Sequence, residues 1–296
     1  MNRTVISTLL TLALFWLAPF SANLQQDHGK PAATSAAIFA VLRSPDNNVA
    51  IEPVVIIERG RFVKPPEGVD KDANGKFSDT LASARFAAKY YRTGHQYHLL
   101  FGAGKAGIAT VTRRTSLACI SLSAAVRLET SAKIGGAVEA LATDSDSLGS
   151  PEGSRRAASA AEREAAVGLA RRAYRQKGVS ASLIQKMTVF NLTAADLNHD
   201  GNTELIGSFR IDDPEGAYVL FLIMERNAGA NFGVALQRYD KGNELGEDLV
   251  DYLDLDGDGI DEVITRIAGY ESYEYAIYKK KDKKWRAVYQ GGGNGC

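Results

Sequence analysis

The sequence predicts an α+β fold that is mainly β, and three observations lead to that prediction. Runs of β-branched and aromatic residues of strand length alternate with Gly, Pro, Asn and Asp turn clusters along most of the chain. Two stretches, 77–94 and 155–178, instead carry apolar residues at helical spacing or many strong helix formers. One pattern that begins at residue 191 recurs at residue 249, which indicates two copies of a β unit.

The overall charge is balanced. The 296 residues include 35 Lys and Arg against 35 Asp and Glu, so the formal net charge is zero. A neutral chain has no long-range attraction for a polyanion, so we expect no nucleic-acid partner. The length is sufficient for one large core or two modest ones.

The first 22 residues have the layout of a secretory signal peptide. Arg3 precedes an uncharged, mostly apolar run that extends to Phe20. Phe20 stands where a small residue is expected if cleavage follows Ala22, so a retained signal anchor is the alternative. We expect a periplasmic or extracellular protein, which is attached to a membrane only if residues 1–22 remain as an anchor.

The N-terminal half is predicted to be an α+β domain of unknown role. Residues 23–35 read as a disordered connector, and the domain follows over 36–141. Two β-rich runs flank a Ser-Pro-Asp-Asn-Asn cluster and predict a hairpin. The helix over 77–94 has Ser78 or Asp79 as its candidate N-cap.

A change of composition marks the boundary between the two halves. Residues 142–154 concentrate Ser, Asp, Gly and Pro, which predicts a linker. The helix over 155–178 follows and is expected to end at Gly178. Beyond it, 183–296 is expected to hold two β repeats, at about 188–240 and 246–290.

Each repeat is predicted to contain four strands, with an acidic loop between the first two. The pattern NLTAADLNHDGNTELI at residue 191 aligns without a gap on LVDYLDLDGDGIDEVI at residue 249. Looser similarity continues downstream of both copies. A repeat of this size with four short strands is typical of a propeller blade.

The acidic residues of the two loops are candidate metal ligands. Carboxylates about 4 Å apart repel by roughly 4 kcal/mol at an effective dielectric near 20, so a cation is needed to hold several together. A flexible ring of oxygen ligands favours Ca²⁺. The predicted ligands are Asp196, Asn198, Asp200, the Asn202 carbonyl and Glu204 in the first loop, and Asp254, Asp256, Asp258, the Ile260 carbonyl and Glu262 in the second loop. The second loop has four formal negative charges against three, which predicts tighter binding there.

The loops do not fit an EF-hand, because position twelve is Gly207 or Thr265 and the flanking residues are strand-like. The pattern Asp-x-Asp/Asn-x-Asp-Gly-x-x-Asp/Glu followed by two apolar residues resembles the calcium loops of FG-GAP and VCBS-type repeats. That resemblance covers about residues 188–290. It implies ligands at the first, third, fifth and ninth positions and a carbonyl at the seventh. His199 stands where such loops usually have Gly, and we expect its side chain to face solvent rather than to bind the ion.

Other chemically suggestive residues have simpler interpretations. Gly102, Gly104 and Gly107 spell GxGxxG, but a strand-like run follows them instead of a helix, so a glycine-containing hairpin turn is predicted. His95 and His98 lie in a strand-like run, where their spacing puts them on opposite faces. We predict no catalytic residues and no organic cofactor.

Two features are left open. Cys119 and Cys296 form either a disulfide or two free thiols. Tyr270, Tyr273, Tyr275 and Tyr278 form either a ligand-binding face or packing between repeats, the second being the more common use of alternate tyrosines.

The predicted function is that of an exported calcium-binding β-repeat protein, acting as a binding or structural module rather than as an enzyme. Its partner would be a protein or a glycan. The alternative is an exported hydrolase that uses the calcium repeats as a scaffold and carries its catalytic groups in the N-terminal half.

Overall fold

The computed structural model describes most of the chain after the first 34 residues. The predicted signal 1–22, both cysteines and all of the connector 23–35 except Ser35 lie outside the described residues. Within those residues, no helix has the length and apolar character needed to cross a membrane. The described ranges are 35–44, 46–66, 69–71, 77–115, 122–135, 138–227, 231–242 and 246–295.

The described residues form eighteen strands and three helices, so the fold is mainly β, as predicted. The first half holds β1 Ser35–Arg43, β2 Val49–Glu58, β3 Arg61–Val63, β4 Val69–Lys71, β5 Phe77–Asp79, α1 Leu81–Tyr90, β6 Gln96–Phe101, β7 Gly104–Thr115, β8 Ser123–Thr130 and β9 Ala140–Thr143. The second half holds β10 Arg156–Ala157, α2 Ala160–Gln176, α3 Ala181–Ile184, β11 Thr188–Ala195, β12 Glu204–Ile211, β13 Tyr218–Arg226, β14 Phe232–Lys241, β15 Gly246–Leu253, β16 Glu262–Ala268, β17 Ser272–Lys281 and β18 Lys284–Gly295.

The first half is a closed barrel of six antiparallel strands. Its order is β1-β9-β6-β7-β8-β2, and β2 pairs back with β1, while β3 extends β2 at one side. The predicted first hairpin is β1 and β2. Pro53, which cannot donate to a strand ladder, lies in β2 where the register with β1 shifts.

Helix α1 packs on the apolar core of this barrel. Phe86 and Tyr90 lie against Phe39, whose ring centroid is 5.8 Å from that of Tyr90. The helix begins later than the sequence suggested, because its N-cap is Thr80, whose hydroxyl accepts the N–H of Ser83 at 2.9 Å. Neither Ser78 nor Asp79 caps it.

Each predicted repeat forms a four-stranded antiparallel sheet with its strands in chain order. The first repeat holds β11 to β14, with the short β10 added beside β11, and the second holds β15 to β18. Helix α2 packs on the first of these sheets through Leu169 and Tyr174. It begins at Ala160 rather than at 155, because Ser159 and Glu162 form a capping box there.

The segment 142–154, predicted as a linker, runs along the turn between β6 and β7. Ser150 donates its N–H to the Ala103 carbonyl and accepts the N–H of Lys105, both at 2.8 Å. Leu148 is buried in the core. The GxGxxG motif belongs to this region and forms the predicted hairpin turn between β6 and β7.

One apolar core joins the barrel to the second repeat. Val55 of β2 and Leu100 of β6 share it with Tyr252 and Tyr275. The last strand also reaches the second one, since the hydroxyl of Tyr289 donates to the Val54 carbonyl at 2.8 Å. The two halves are therefore packed as one body.

Charged groups are buried at this junction. Arg266 pairs with Glu139 at 2.6 Å, and Arg155 pairs with Asp251 at 3.2 Å, all four side chains being largely covered. A buried ion pair stabilises only when its geometry offsets the cost of removing both charges from water.

Burial raises the pKa values of the two carboxyls in these pairs. The pKa of Glu139 rises to about 7, opposed by Arg266 and Arg155 and reinforced by Asp248 and Glu52. Its Oε2 has no hydrogen-bond partner among the described residues, which fits this rise. Burial likewise raises the pKa of Asp251 to about 6.

These pKa values predict an unusual dependence of stability on pH. A carboxyl whose pKa is raised by folding binds its proton more tightly in the folded state, so the free energy of unfolding falls as pH rises past the unfolded-state pKa. We expect a fall of roughly 2 kcal/mol between pH 5 and pH 8, measured by urea unfolding at several pH values. Glu139→Gln is expected to flatten the slope. The matched variant of an exposed glutamate, Glu129→Gln, should keep it, and an unchanged slope in Glu139→Gln would contradict the assignment.

Candidate metal centre

The two acidic loops occupy equivalent places in the two repeats. The first loop, 196–204, connects β11 to β12, and the second loop, 254–262, connects β15 to β16. Strands flank both loops, as predicted, which separates them from the helix-flanked EF-hand.

Three matched hydrogen bonds coil each loop around its acidic side chains. The first-position aspartate accepts the N–H of the sixth-position glycine, the fifth-position aspartate accepts the N–H of the seventh residue, and the ninth-position glutamate accepts the N–H of the second. The donors and acceptors are Gly201 N to Asp196 Oδ2 (3.0 Å), Asn202 N to Asp200 Oδ1 (2.7 Å) and Leu197 N to Glu204 Oε2 (2.8 Å), then Gly259 N to Asp254 Oδ2 (3.2 Å), Ile260 N to Asp258 Oδ1 (3.0 Å) and Leu255 N to Glu262 Oε2 (2.8 Å).

The loops also share two left-handed residues. At the sixth position Gly201 has φ of 80° and Gly259 has φ of 83°. At the fourth position Gly257 has φ of 78°, whereas His199 adopts φ of 54° with a full side chain. The repeat seen in the sequence is therefore a repeat of backbone conformation as well.

The carboxylates of the second loop converge on a lysine. Asp254, Asp256 and Glu262 each offer an oxygen, and these oxygens lie within 4.8 Å of one another. The Lys279 ammonium, on β17, donates to Asp256, to Asp258 at 2.7 Å and to Glu262 at 3.2 Å. The lysine side chain is 17% exposed.

Electrostatics inside the second loop reflect burial and crowding. Burial raises the pKa of Glu262 to about 8, Asp256 raises it further, and Lys279 opposes the rise. Burial lowers the pKa of Lys279, but its three carboxylate partners, Asp256, Asp258 and Glu262, outweigh burial and hold this pKa above the ordinary value. The second loop therefore already contains a positive charge that offsets part of its repulsion.

The first loop has a different environment. Among the described residues, no group of three acids or histidines other than that of the second loop is gathered within 4.8 Å. Glu225 lies near Glu204, whose pKa is raised to about 7 by burial and, less strongly, by Asp200, Glu225 and Asp196. Glu225 itself accepts the indole N–H of Trp285 at 2.6 Å and pairs with Lys280 at 2.8 Å.

Strand register places Glu225 where the second repeat has Lys279. Met224 pairs with Leu205, and Tyr278 pairs with Val263, the residue 58 positions after Leu205. Glu225 and Lys279 each come directly after these partners. One repeat thus presents an acid to its loop at the place where the other presents an ammonium.

The two loops lie against each other. The N–H of Asp261, in the second loop, donates to the Leu197 carbonyl of the first at 2.7 Å. His199 lies 3.4 Å from the Asp261 carboxylate, which raises the pKa of His199. We expected His199 to point only to solvent, and its side chain, although 49% exposed, instead bridges the loops.

Sequence reasoning missed Lys279, Glu225 and Asp261. The run of three lysines at 279–281 follows a strand that must pair with the one after the acidic loop, and this was the signal available for Lys279. Asp261 resembles a surface acid in the sequence but is 1% exposed.

Three of the four candidate tyrosines are used in packing. Tyr273 and Tyr275 donate to Glu52, and Tyr278 donates to Glu247 at 2.7 Å, so these tyrosines join strands and halves. Tyr270 alone of the four is exposed, at 87%. His98 pairs with Asp146 at 2.6 Å beside a surface cavity of about 520 Å³.

Comparison of the chain with protein-family models, curated proteins and solved structures gave no match. Function therefore has to be inferred from the two loops and their surroundings.

Proposed function

We propose that the C-terminal half is a cation-stabilised β-repeat module of the FG-GAP/VCBS kind, which serves an exported protein as a binding or structural element. The observation that supports this proposal is the pair of loops with three matched carboxylate hydrogen bonds at equivalent places in two four-stranded sheets. Export is supported by the signal-like pattern of residues 1–22.

The donor set suits a hard divalent cation. The predicted side-chain ligands offer carboxylate and amide oxygens, with no sulfur or imidazole among them, and this chemistry favours Ca²⁺ over zinc or copper. A bound ion would supply positive charge and tie the ends of two strands together. The first loop is the more open of the two at the seventh position, since Asn202 is exposed whereas its counterpart Ile260 is half-buried.

The repeats are propeller-blade-like in strand number and order, but two blades do not complete a ring. The second sheet packs instead on the six-stranded barrel through the shared core. We propose that cation binding stiffens the loop edge of this assembly, from which a protein or glycan would be recognised.

Thermal unfolding with calcium and with a chelator tests the proposal. Binding to the folded state alone stabilises by about 2.7 kcal/mol at a hundredfold excess over Kd, which corresponds to a rise of roughly 5 °C in Tm for a chain of this size. The double variant Asp196→Asn, Asp200→Asn is expected to lose the rise. It removes two charges from the first loop and keeps the size of both side chains.

Asp282→Asn is the matched control. It removes a charge in the exposed β17–β18 turn, and asparagine tolerates the left-handed backbone found there. This variant should show the same calcium response as the wild-type protein. Equal melting midpoints of the wild-type protein in calcium and in chelator would refute the proposal.

A further inference from the structure

The second loop contains its own cation. The ammonium of Lys279 contacts the third, fifth and ninth residues of that loop, which are three of the five positions predicted to bind a metal. A calcium ion and an ammonium group compete for the same oxygens, so one excludes the other.

The lysine is held in place by more than charge. It follows Tyr278, which is buried and hydrogen-bonded to Glu247, so the backbone of β17 is fixed directly beside the loop. Glu262, its deepest partner, is 1% exposed and also accepts the N–H of Leu255. Moving the ammonium away would leave the buried Glu262 carboxylate without the positive charge of Lys279.

We propose that Lys279 is a built-in counter-ion that closes the second loop to divalent cations, so that the folded chain takes a single ion, in the first loop. This inference rests on the proposed function, since it assigns the loop that binds the ion. It reverses the ranking obtained by counting charges, which placed tighter binding in the second loop. The reversal follows because Lys279 reduces the four negative charges of the second loop to a net three and already contacts oxygens of Asp256, Asp258 and Glu262.

The distances between the acids within each loop support this assignment. The loop that contains the ammonium has three carboxylate oxygens within 4.8 Å, whereas the acids of the first loop are not drawn together to that distance. Carboxylates without a central cation separate because of their repulsion. The first loop is thus the one whose geometry an added ion would change.

Calcium stoichiometry tests the proposal. Calorimetric titration and metal analysis after desalting should give one calcium per wild-type chain and two per chain of Lys279→Met, in which the second loop becomes free. Lys281→Met, at an exposed strand end nearby, should bind one. Calcium retained by the Asp196→Asn, Asp200→Asn variant, or no additional site in Lys279→Met, would overturn the proposal.

The calcium stoichiometry also distinguishes cation binding by the first loop from the role of Lys279 in the second. If the wild-type chain binds no calcium while Lys279→Met binds one, then cation binding by the first loop fails and the role of Lys279 stands. If the wild-type chain binds two, cation binding stands and the role of Lys279 fails.

A chemical readout on the wild-type protein covers the case in which Lys279→Met does not fold. Acylation requires the uncharged amine, and three carboxylates hold Lys279 as an ammonium. Lys279 should therefore react at least about tenfold more slowly than the exposed Lys281. Peptide mass mapping measures both rates. Millimolar calcium should leave that ratio unchanged. An increase of Lys279 acylation towards the rate of Lys281 on adding calcium would show that the ion displaces the lysine and would overturn the proposal.

Discussion

Replacing Arg155 with methionine is expected to lower the free energy of unfolding by about 3–5 kcal/mol, the cost typical of breaking a buried ion pair at one partner. Asp251 is fully buried, and its oxygens accept hydrogen bonds from the Arg155 guanidinium and from the backbone N–H groups of Gly102 and Tyr252. The same guanidinium nitrogen donates to the Glu139 and Val250 carbonyls at 3.0 and 2.8 Å. The variant loses all three of these guanidinium hydrogen bonds at the junction of the two halves.

Urea unfolding at pH 7 measures the loss, with Arg127→Met as the control. Arg127 forms an exposed pair with Glu129, and such pairs contribute only about 0–1 kcal/mol. A double variant that also replaces Asp251 with leucine should recover part of the loss, because no unpaired buried charge remains. A loss below about 1 kcal/mol in Arg155→Met would contradict the assigned role of this pair.

Gly104→Ala is expected to destabilise the fold by about 3 kcal/mol, at the upper end for overpacking. A Cβ added at Gly104 would lie 2.1 Å from the backbone nitrogen of Gly153 and 2.5 Å from the carbonyl carbon of Glu152. These neighbours are backbone atoms, which a rotamer change cannot move. The contact also lies in the packed segment that leads from the barrel to the second half.

Gly246→Ala is the matched control, since a Cβ there meets nothing within 4 Å. We expect it to change stability by less than about 0.5 kcal/mol. Thermal or urea unfolding of both variants decides the point. Equal stability of the two would mean that the close approach of Gly104 to Gly153 does not constrain the fold.

Most of the secondary structure could be predicted because it depends on local patterns. Alternating apolar residues and turn clusters gave the first hairpin, and the helix formers gave α2. The closed barrel could not be predicted, because β9 pairs with β1, about a hundred residues earlier in the chain. The segment 142–154 is predicted as a linker because its residues are small and polar. Such residues also allow two backbone segments to approach closely, as they do at Gly104 and Gly153.

The acidic loops could be located because the repeat preserves their spacing. Their environment could not, because Lys279 and Glu225 come from the neighbouring strand and their place depends on register. The sequence contains three lysines in a row, and only pairing of β16 with β17 decides which of them faces the loop. His199 likewise looked solvent-facing until the second loop was placed beside it.

The hydrogen bond from Tyr289 to Val54 spans 235 residues of chain. At a synthesis rate of about 5–20 residues per second, the ribosome needs on the order of 10–50 s to make the intervening polypeptide. Strand β2 is therefore synthesised long before β18, which covers it, and its apolar side stays exposed to water for that time. The two strands can pack together only after both have been synthesised, so a holding chaperone has time to act first.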